Sequence, residues 1–269
     1  MKYNQKGGRN VLERASARET AMRVALGCIC KLLLKEFNIE IYSHVVKIGD
    51  IETSKDNISK EELLKADESV VRVLDKEIEK LMVEKIDNIK NEEDTIGGVI
   101  EVIGMNIPIG LGSYTSWDRR LDGKIAYSIM SIPGIKGIEF GLGFNTSNKP
   151  GSKVHDQIYY DINGYYRKTN NAGGIEGGVS NGENIVFRAV MKPIPTLKKP
   201  LNTIDMETKK QVHAQFERSD VCAVPSASIV AENMLAYVLA NEMMIKFGGD
   251  SIEELKSNFE NYMDGLKKR

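Results

Sequence analysis

PSASIVAENMLAYVLANEMMIKF (Pro225–Phe247) is mostly apolar along its length and reads as one long buried helix. Just ahead of it, FERSDVCAVPSAS (Phe216–Ser228) puts an Arg, a Ser and an Asp at the helix mouth. Near the other end of the chain, ERASARETAMR (Glu13–Arg23) does the same for a second apolar helix. The first N–H groups of a helix are unpaired and its dipole turns the positive end outward, so such mouths attract anions. Two of them, each with guanidinium groups attached, predict a pocket for a multiply charged anion such as a phosphate ester with carboxylates.

Working outward, the first ten residues are polar and read as a loop or tail. Ser16 and Glu19 have capping-box spacing, and Met22, Ala25, Leu26, Ile29, Leu32 and Leu33 recur at helical spacing to near Phe37. Asn38 to Ile51 alternates as a strand, with Ile39, Ile41, Val45 and Ile48 for its buried face. Lys60 to Asn91 is charged and predicts an amphipathic helix with a stripe at Val71, Leu74, Ile78, Leu81 and Ile86. Strands are expected at Thr95–Pro108, Lys136–Phe144, Asn184–Met191 and Gln211–Phe216. Helices are expected at Arg120–Ser131, stopped by Pro133 and Gly134, and at Ser251–Lys267. Strands that come singly with irregularly interposed helices predict a single α+β domain over residues 1–269 rather than regular β-α alternation.

Composition narrows the function classes. The chain has 269 residues, 41% hydrophobic, with a formal net charge of −1, so no global field favours nucleic acid or an anionic membrane. Cys28, Cys30 and Cys222 form no C-x-x-C pair, and an odd count gives no complete disulfide framework. His44, His155 and His213 have no metal-ligand spacing around them, so no metal is expected. There is no run of membrane-span length and MKYNQKGGRN is not a signal peptide, so the expected compartment is the cytoplasm.

Four groups of residues are candidates for chemistry. Arg14 and Arg18 share a face if the first helix has begun by Arg14; the plainer alternative is ion pairing with Glu13 and Glu19 on a solvated face. Arg218, Ser219 and Asp220 could combine an anion ligand with a carboxylate for proton transfer, or Asp220 could be a turn or cap residue. NNAGGIEGGVSNG (Asn170–Gly182) is neither a Walker loop nor a good dinucleotide fingerprint; its glycines permit close backbone approach to a ligand, or it is a flexible turn cluster. In Lys192–Thr196, prolines 193 and 195 hold the chain extended, and Lys192 and Thr196 could donate to phosphate or to a ring carbonyl, or simply end an edge strand.

Taken together, RNVLERASARETAMRVALG (Arg9–Gly27), GLGSYTSWDRRLDGKIAYSIMSIPGIKGIEFGLGF (Gly110–Phe144), NNAGGIEGGVSNG, MKPIPTL (Met191–Leu197) and RSDVCAVPSASIVAENM (Arg218–Met234) resemble, in order and spacing, the chorismate synthases in their Gram-positive-type bacterial form. The resemblance covers almost the whole chain. It implies a β-α-β sandwich in which sheets enclose a central helical layer, a homotetramer, and a lyase of the shikimate pathway and aromatic amino acid biosynthesis. The implied reaction is a 1,4-elimination of phosphate from 5-enolpyruvylshikimate-3-phosphate to give chorismate, using reduced FMN (FMNH2); NADP is also associated with the family. Nucleic acid and membrane partners are not implied.

Carried over by motif, the resemblance implies flavin contacts at Arg14, Ala15, Ser16, Pro133, Gly134, Gly177, Lys192, Pro193, Ile194, Pro195, Thr196 and Arg218. It implies substrate anion ligands at Arg18 and Arg218, and proton transfer at Asp220. Pro133 stands where many relatives have Asn, a change that spares a backbone contact but not a side-chain one. The family's Gly-Glu-Ser-His segment and a second catalytic histidine match nothing here, so the chain resembles the C-terminal two-thirds of the enzyme. The alternative reading is a truncated, non-catalytic remnant that binds flavin or oligomerises.

Overall fold

The structure is a computed structural model that describes residues 2–5, 9–53, 58–162, 164–214, 216 and 219–268. Its helices are α1 (Arg9–Ala15), α2 (Thr20–Lys35), α3 (Lys60–Leu63), α4 (Lys76–Asn91), α5 (Leu121–Met130), α6 (Val224–Phe247) and α7 (Ile252–Lys267). Its strands are β1 (Glu40–Ile48), β2 (Ile51–Glu52), β3 (Gly98–Met105), β4 (Ile135–Phe140), β5 (Ile158–Asp161), β6 (Gly164–Arg167), β7 (Ile175–Glu176), β8 (Val179–Ser180), β9 (Ile185–Met191), β10 (Asn202–Ile204) and β11 (Gln211–His213).

A five-stranded sheet in the order β2-β1-β3-β9-β4 is antiparallel throughout. Its register sets Gly98 opposite both Ile48 and Met191, and Met191 opposite Ile135, so these four residues mark one end of the sheet. Gly104 opposite Ile185 marks the other end, six residues along β9 and about 20 Å away at the rise of a strand. Alternation then divides the faces. Ile41, Val45, Ile100, Val102, Phe187 and Ala189 are buried on the inner face, where α6 lies across β1 and β3. Glu101 pairs with His44 on one side and with Arg188 on the other, which puts all three on the outer face.

α6 is buried along most of its length because α2 and α5 flank it above the sheet. Gly27 of α2 meets Asn233 of α6 at such close range that a Cβ would stand 2.5 Å from the Asn233 carbonyl oxygen. Lys124 of α5 pairs with the buried Glu242 at 2.6 Å. The layered α+β reading is correct. Among the described residues, however, a sheet covers only one side of the helical layer, and α2 leaves Met22, Leu26, Ile29 and Leu32 exposed on its other side.

Several local expectations need correction. A separate helix runs over Arg9–Ala15, beginning inside the first ten residues, which were expected as a loop or tail. Ser16 is extended (φ −67°, ψ 136°) and separates this helix from a 3-10 turn at Ala17–Glu19, so Arg14 and Arg18 do not share one helix face. The Ser16–Glu19 capping box does not form: Ser16 Oγ accepts from Arg18 N at 3.3 Å, while Glu19 turns to Arg23 Nε at 2.9 Å. The expected helix over Lys60–Asn91 is broken at Leu64–Asp75, where Arg72 takes a positive φ and Asp75 caps a new start. Its buried contact is then Met82, while Leu81 faces outward.

The Gly/Asn/Tyr-rich stretch contains two small hairpins, β5–β6 and β7–β8. Ser251 and Glu254 do form a capping box, at the start of α7. No helix among the described residues is long and apolar enough to cross a membrane, and none of their His, Cys, Asp and Glu side chains group as a metal site.

Candidate functional site

The sheet end marked by Met191 collects most of the residues singled out in the sequence. Because Ile135 opposes Met191, the turn before β4 lies against the segment after β9, and Lys192 N donates to Gly134 O at 2.9 Å. Gly134 has φ +88°, a backbone state that glycine adopts without steric cost, and it turns the chain from α5 into β4. Prolines 193 and 195 then stiffen Lys192–Thr196 as a strap that leaves the end of β9 and bends at Pro195.

The strap is pinned along its length. Thr95 Oγ1 donates to Ile194 O at 2.7 Å, and Ser219 Oγ donates to Thr196 O at 2.6 Å. At Gly97 a Cβ would come within 2.9 Å of Pro193 N, so only glycine lets the strap settle against the start of β3. Ile96 N donates to Val221 O at 2.9 Å, which fixes the segment carrying Asp220 beside the same strand start. That segment runs into α6, with Pro225 in the first turn, where a missing N–H costs nothing.

α2 is joined to this end through Arg23, whose guanidinium donates to Ser131 Oγ at 2.6 Å and to Ser131 O at 3.3 Å. Ser131 follows α5 and precedes Pro133 by two residues. The mouths of α2 and α6 therefore open toward one sheet end. Burial pushes the nearby Cys222 thiol up, so it stays protonated at neutral pH and is a packing group.

Pro133, Gly134, Lys192, Pro193, Ile194, Pro195, Thr196 and Asp220 thus gather at one end. Ala15, at the end of α1, and Arg18, in the 3-10 turn before α2, are exposed, and Ser16 between them is half-buried. Asp220 is exposed, and Lys192 makes no ion pair among the described residues. The Arg14 side chain and all of Arg218 lie outside the described residues, so the expected convergence of Arg18 with Arg218 is likewise outside them.

Gly177 stands apart. It lies in the β7–β8 turn, whose neighbour Gly178 accepts from Leu121 N at 2.8 Å and whose Gly174 packs on Asn184 and Ile185, at the far end of β9. Thr95 and Gly97 are contacts that sequence reasoning missed. A glycine pair opening a β-branched run, as in Gly97–Gly98, is the signal of close backbone approach that marks them.

His44 and His155 are engaged away from this end, whereas His213 is on the β10–β11 hairpin, which lies in the chain between Thr196 and Ser219. His44 is buried against Glu101 at 3.0 Å, His155 lines a hollow beside Lys168, and His213 is in the exposed β11. A hollow of about 650 Å3 also lies elsewhere, on the outer face of the sheet. The Met191 end is a meeting of strap, turn and helix mouths.

The family model for chorismate synthase matches residues 1–244. A chorismate synthase of Geobacter metallireducens (strain ATCC 53774 / DSM 7210 / GS-15) is 50% identical over 276 aligned residues, covering 99% of this chain and 70% of that protein. One of Alkaliphilus metalliredigens (strain QYMF) is 53% identical over 263, covering 97% of this chain and 69% of that protein. A crystal structure of a chorismate synthase superposes with a TM-score of 0.87 at 46% identity, covering all of this chain and 76% of that one. With the family model matching most of its length and relatives at half identity, the chain belongs to the chorismate synthase family.

Proposed function

We propose that this chain serves the conversion of 5-enolpyruvylshikimate-3-phosphate to chorismate, a 1,4-elimination of phosphate that uses reduced FMN and makes the protein a carbon–oxygen lyase of the shikimate pathway. The observation that carries this reading is the tie of the strap to its surroundings, with Lys192 on Gly134, Ile194 on Thr95 and Thr196 on Ser219.

The donor set at this end fits FMN. Lys192 offers an ammonium group without an ion pair among the described residues and Thr196 a hydroxyl, both suited to a phosphate, and Gly134 leaves room for close approach. Arg14, Ala15, Ser16, Pro133, Gly134, Lys192–Thr196 and Arg218 would hold the cofactor. Gly177 would join them only if a second copy brought it there, as a homotetramer permits. When bound, the reduced flavin would supply electron density that eases departure of the phosphate.

The chain's own residues would do the rest. Arg18 and Arg218 would neutralise the substrate's anionic groups and orient them. Asp220, exposed at the approach to α6, would accept a proton at its carboxylate. We further place the protein in the cytoplasm as a homotetramer, with NADP as the associated nucleotide; sedimentation velocity tests the assembly.

Fluorescence titration with FMN tests the reading: saturable binding that weakens on Lys192→Ala supports it, and a folded chain that does not bind overturns it. A second reading, a flavin-binding protein without turnover, is favoured by the histidines. His44 and His155 are engaged elsewhere, against Glu101 and beside Lys168, and so are not placed to protonate the leaving phosphate or the flavin. Chorismate formed by this chain alone, with reduced FMN and the phosphorylated substrate, would refute that second reading.

A further inference from the structure

The outer face of the sheet carries a polar cleft of about 650 Å3, remote from the Met191 end. Register sets Glu101 beside Arg188 and Arg188 beside Glu139, and these three form its floor. A second hollow of about 240 Å3 shares Lys168, Thr169 and Asn171 with it and adds Lys153 and His155. One wall is held rigid by Asp156, whose buried carboxylate accepts from Thr169 Oγ1 at 2.5 Å, Asn171 N at 2.8 Å and Ala172 N at 2.9 Å.

Charge in this joined cleft is unevenly matched. Its carboxylates are already engaged: Glu101 meets His44 Nε2 at 3.0 Å and Arg188 Nε at 2.6 Å, Glu139 accepts from Phe144 N at 3.1 Å, and Glu183 accepts from Arg167 N at 3.2 Å. The ammonium groups are not. Lys149, Lys153 and Lys168 make no ion pair among the described residues, and Lys168 lies 4.3 Å from the centre of the Tyr159 ring. A concave, walled surface focuses the field of such charges toward its interior. Several ammonium groups around one hollow suit a dianion better than a single carboxylate.

We propose that this cleft is a second anion site of the protein, separate from the Met191 end, and that it binds a small phosphate-bearing ligand through Lys149 and Lys168. Occupancy there would also bridge the turn after β4 to the segment after β6, since the two lysines lie on different walls.

The test is calorimetric titration with inorganic phosphate at low ionic strength, carried out in Arg18→Ala protein so that the Met191 end is weakened. Saturable binding is expected, and adding Lys149→Ala with Lys168→Ala should weaken it by about tenfold or more. Lys149→Arg with Lys168→Arg should restore it, because the charge remains. Both lysines are exposed, so circular dichroism of each variant should match the parent. Glycerol 3-phosphate, if it shows the same lysine dependence and binds more tightly, assigns the site to an ester; tighter binding of phosphate itself assigns it to the free ion. Phosphate affinity that does not respond to the lysine pair, or no saturable binding at all, overturns the proposal.

Discussion

Gly27 of α2 faces Asn233 of α6 with no room for a side chain: a Cβ on Gly27 would lie 2.5 Å from the Asn233 carbonyl oxygen. The obstacle is backbone, which cannot swing aside, so the two helices must separate to admit even a methyl group. Gly27→Ala is expected to destabilise the chain by about 1–3 kcal/mol, despite the higher helix propensity of alanine. Urea unfolding measures it. A fall in FMN affinity should accompany the loss, because the same helix pair sets the spacing of the two mouths at the Met191 end.

Thr95 and Ser219 hold the strap without facing a reacting group in our reading. Thr95→Val removes the donor to Ile194 O and is expected to cost about 1 kcal/mol of stability. Its effect on FMN affinity should exceed that of a same-sized substitution elsewhere on β3. Equal FMN affinity in Thr95→Val, Ser219→Ala and wild type would show that the strap does not shape the cofactor site.

Lys192→Ala should lower FMN affinity by about tenfold, the order expected for losing a charge-assisted bond to phosphate. It should leave the thermal midpoint unchanged, since the side chain is exposed and makes no ion pair among the described residues. Riboflavin, which has no phosphate, should bind wild type and variant alike; a variant equally impaired toward riboflavin would place Lys192 at the ring instead.

Glu101 gives the stability a defined pH dependence. Burial pushes its carboxyl up, but the hydrogen bonds and charges of His44 and Arg188 together outweigh this and hold it below the usual carboxylate range. A depressed folded value means that its contribution is fully present above the unfolded pKa of about 4.3 and is lost as pH falls through the folded value. Glu101→Gln should therefore be less stable than wild type near pH 7, by about 3–5 kcal/mol for a broken buried pair. The gap should narrow as pH falls below that of the unfolded carboxyl. A gap that stays constant down to acid-induced unfolding would rule this source out.

The sequence by itself determined the kinds of element and the family. Apolar periodicity is local, so α6, α5, β9 and the buried face of β1 could be read from side-chain spacing alone. The breaks were not readable in that way. Arg72 takes a positive φ while its guanidinium reaches Ser43 O and Ser228 Oγ, contacts supplied by residues far away in sequence, and this interrupts a helix that propensity favours. Extended Ser16 likewise divides what spacing joined.

For the site, motifs marked Lys192–Thr196, Pro133–Gly134 and Asp220, but three separate stretches meet only because antiparallel register puts Met191 opposite Ile135 and Gly98. The same register carries Gly177 to the other end of β9, though sequence likeness grouped it with the rest. Spacing along a chain reports what one element can do; which elements share an end is set by strand pairing and by contacts such as Gly27 on Asn233, whose partners are 206 residues apart.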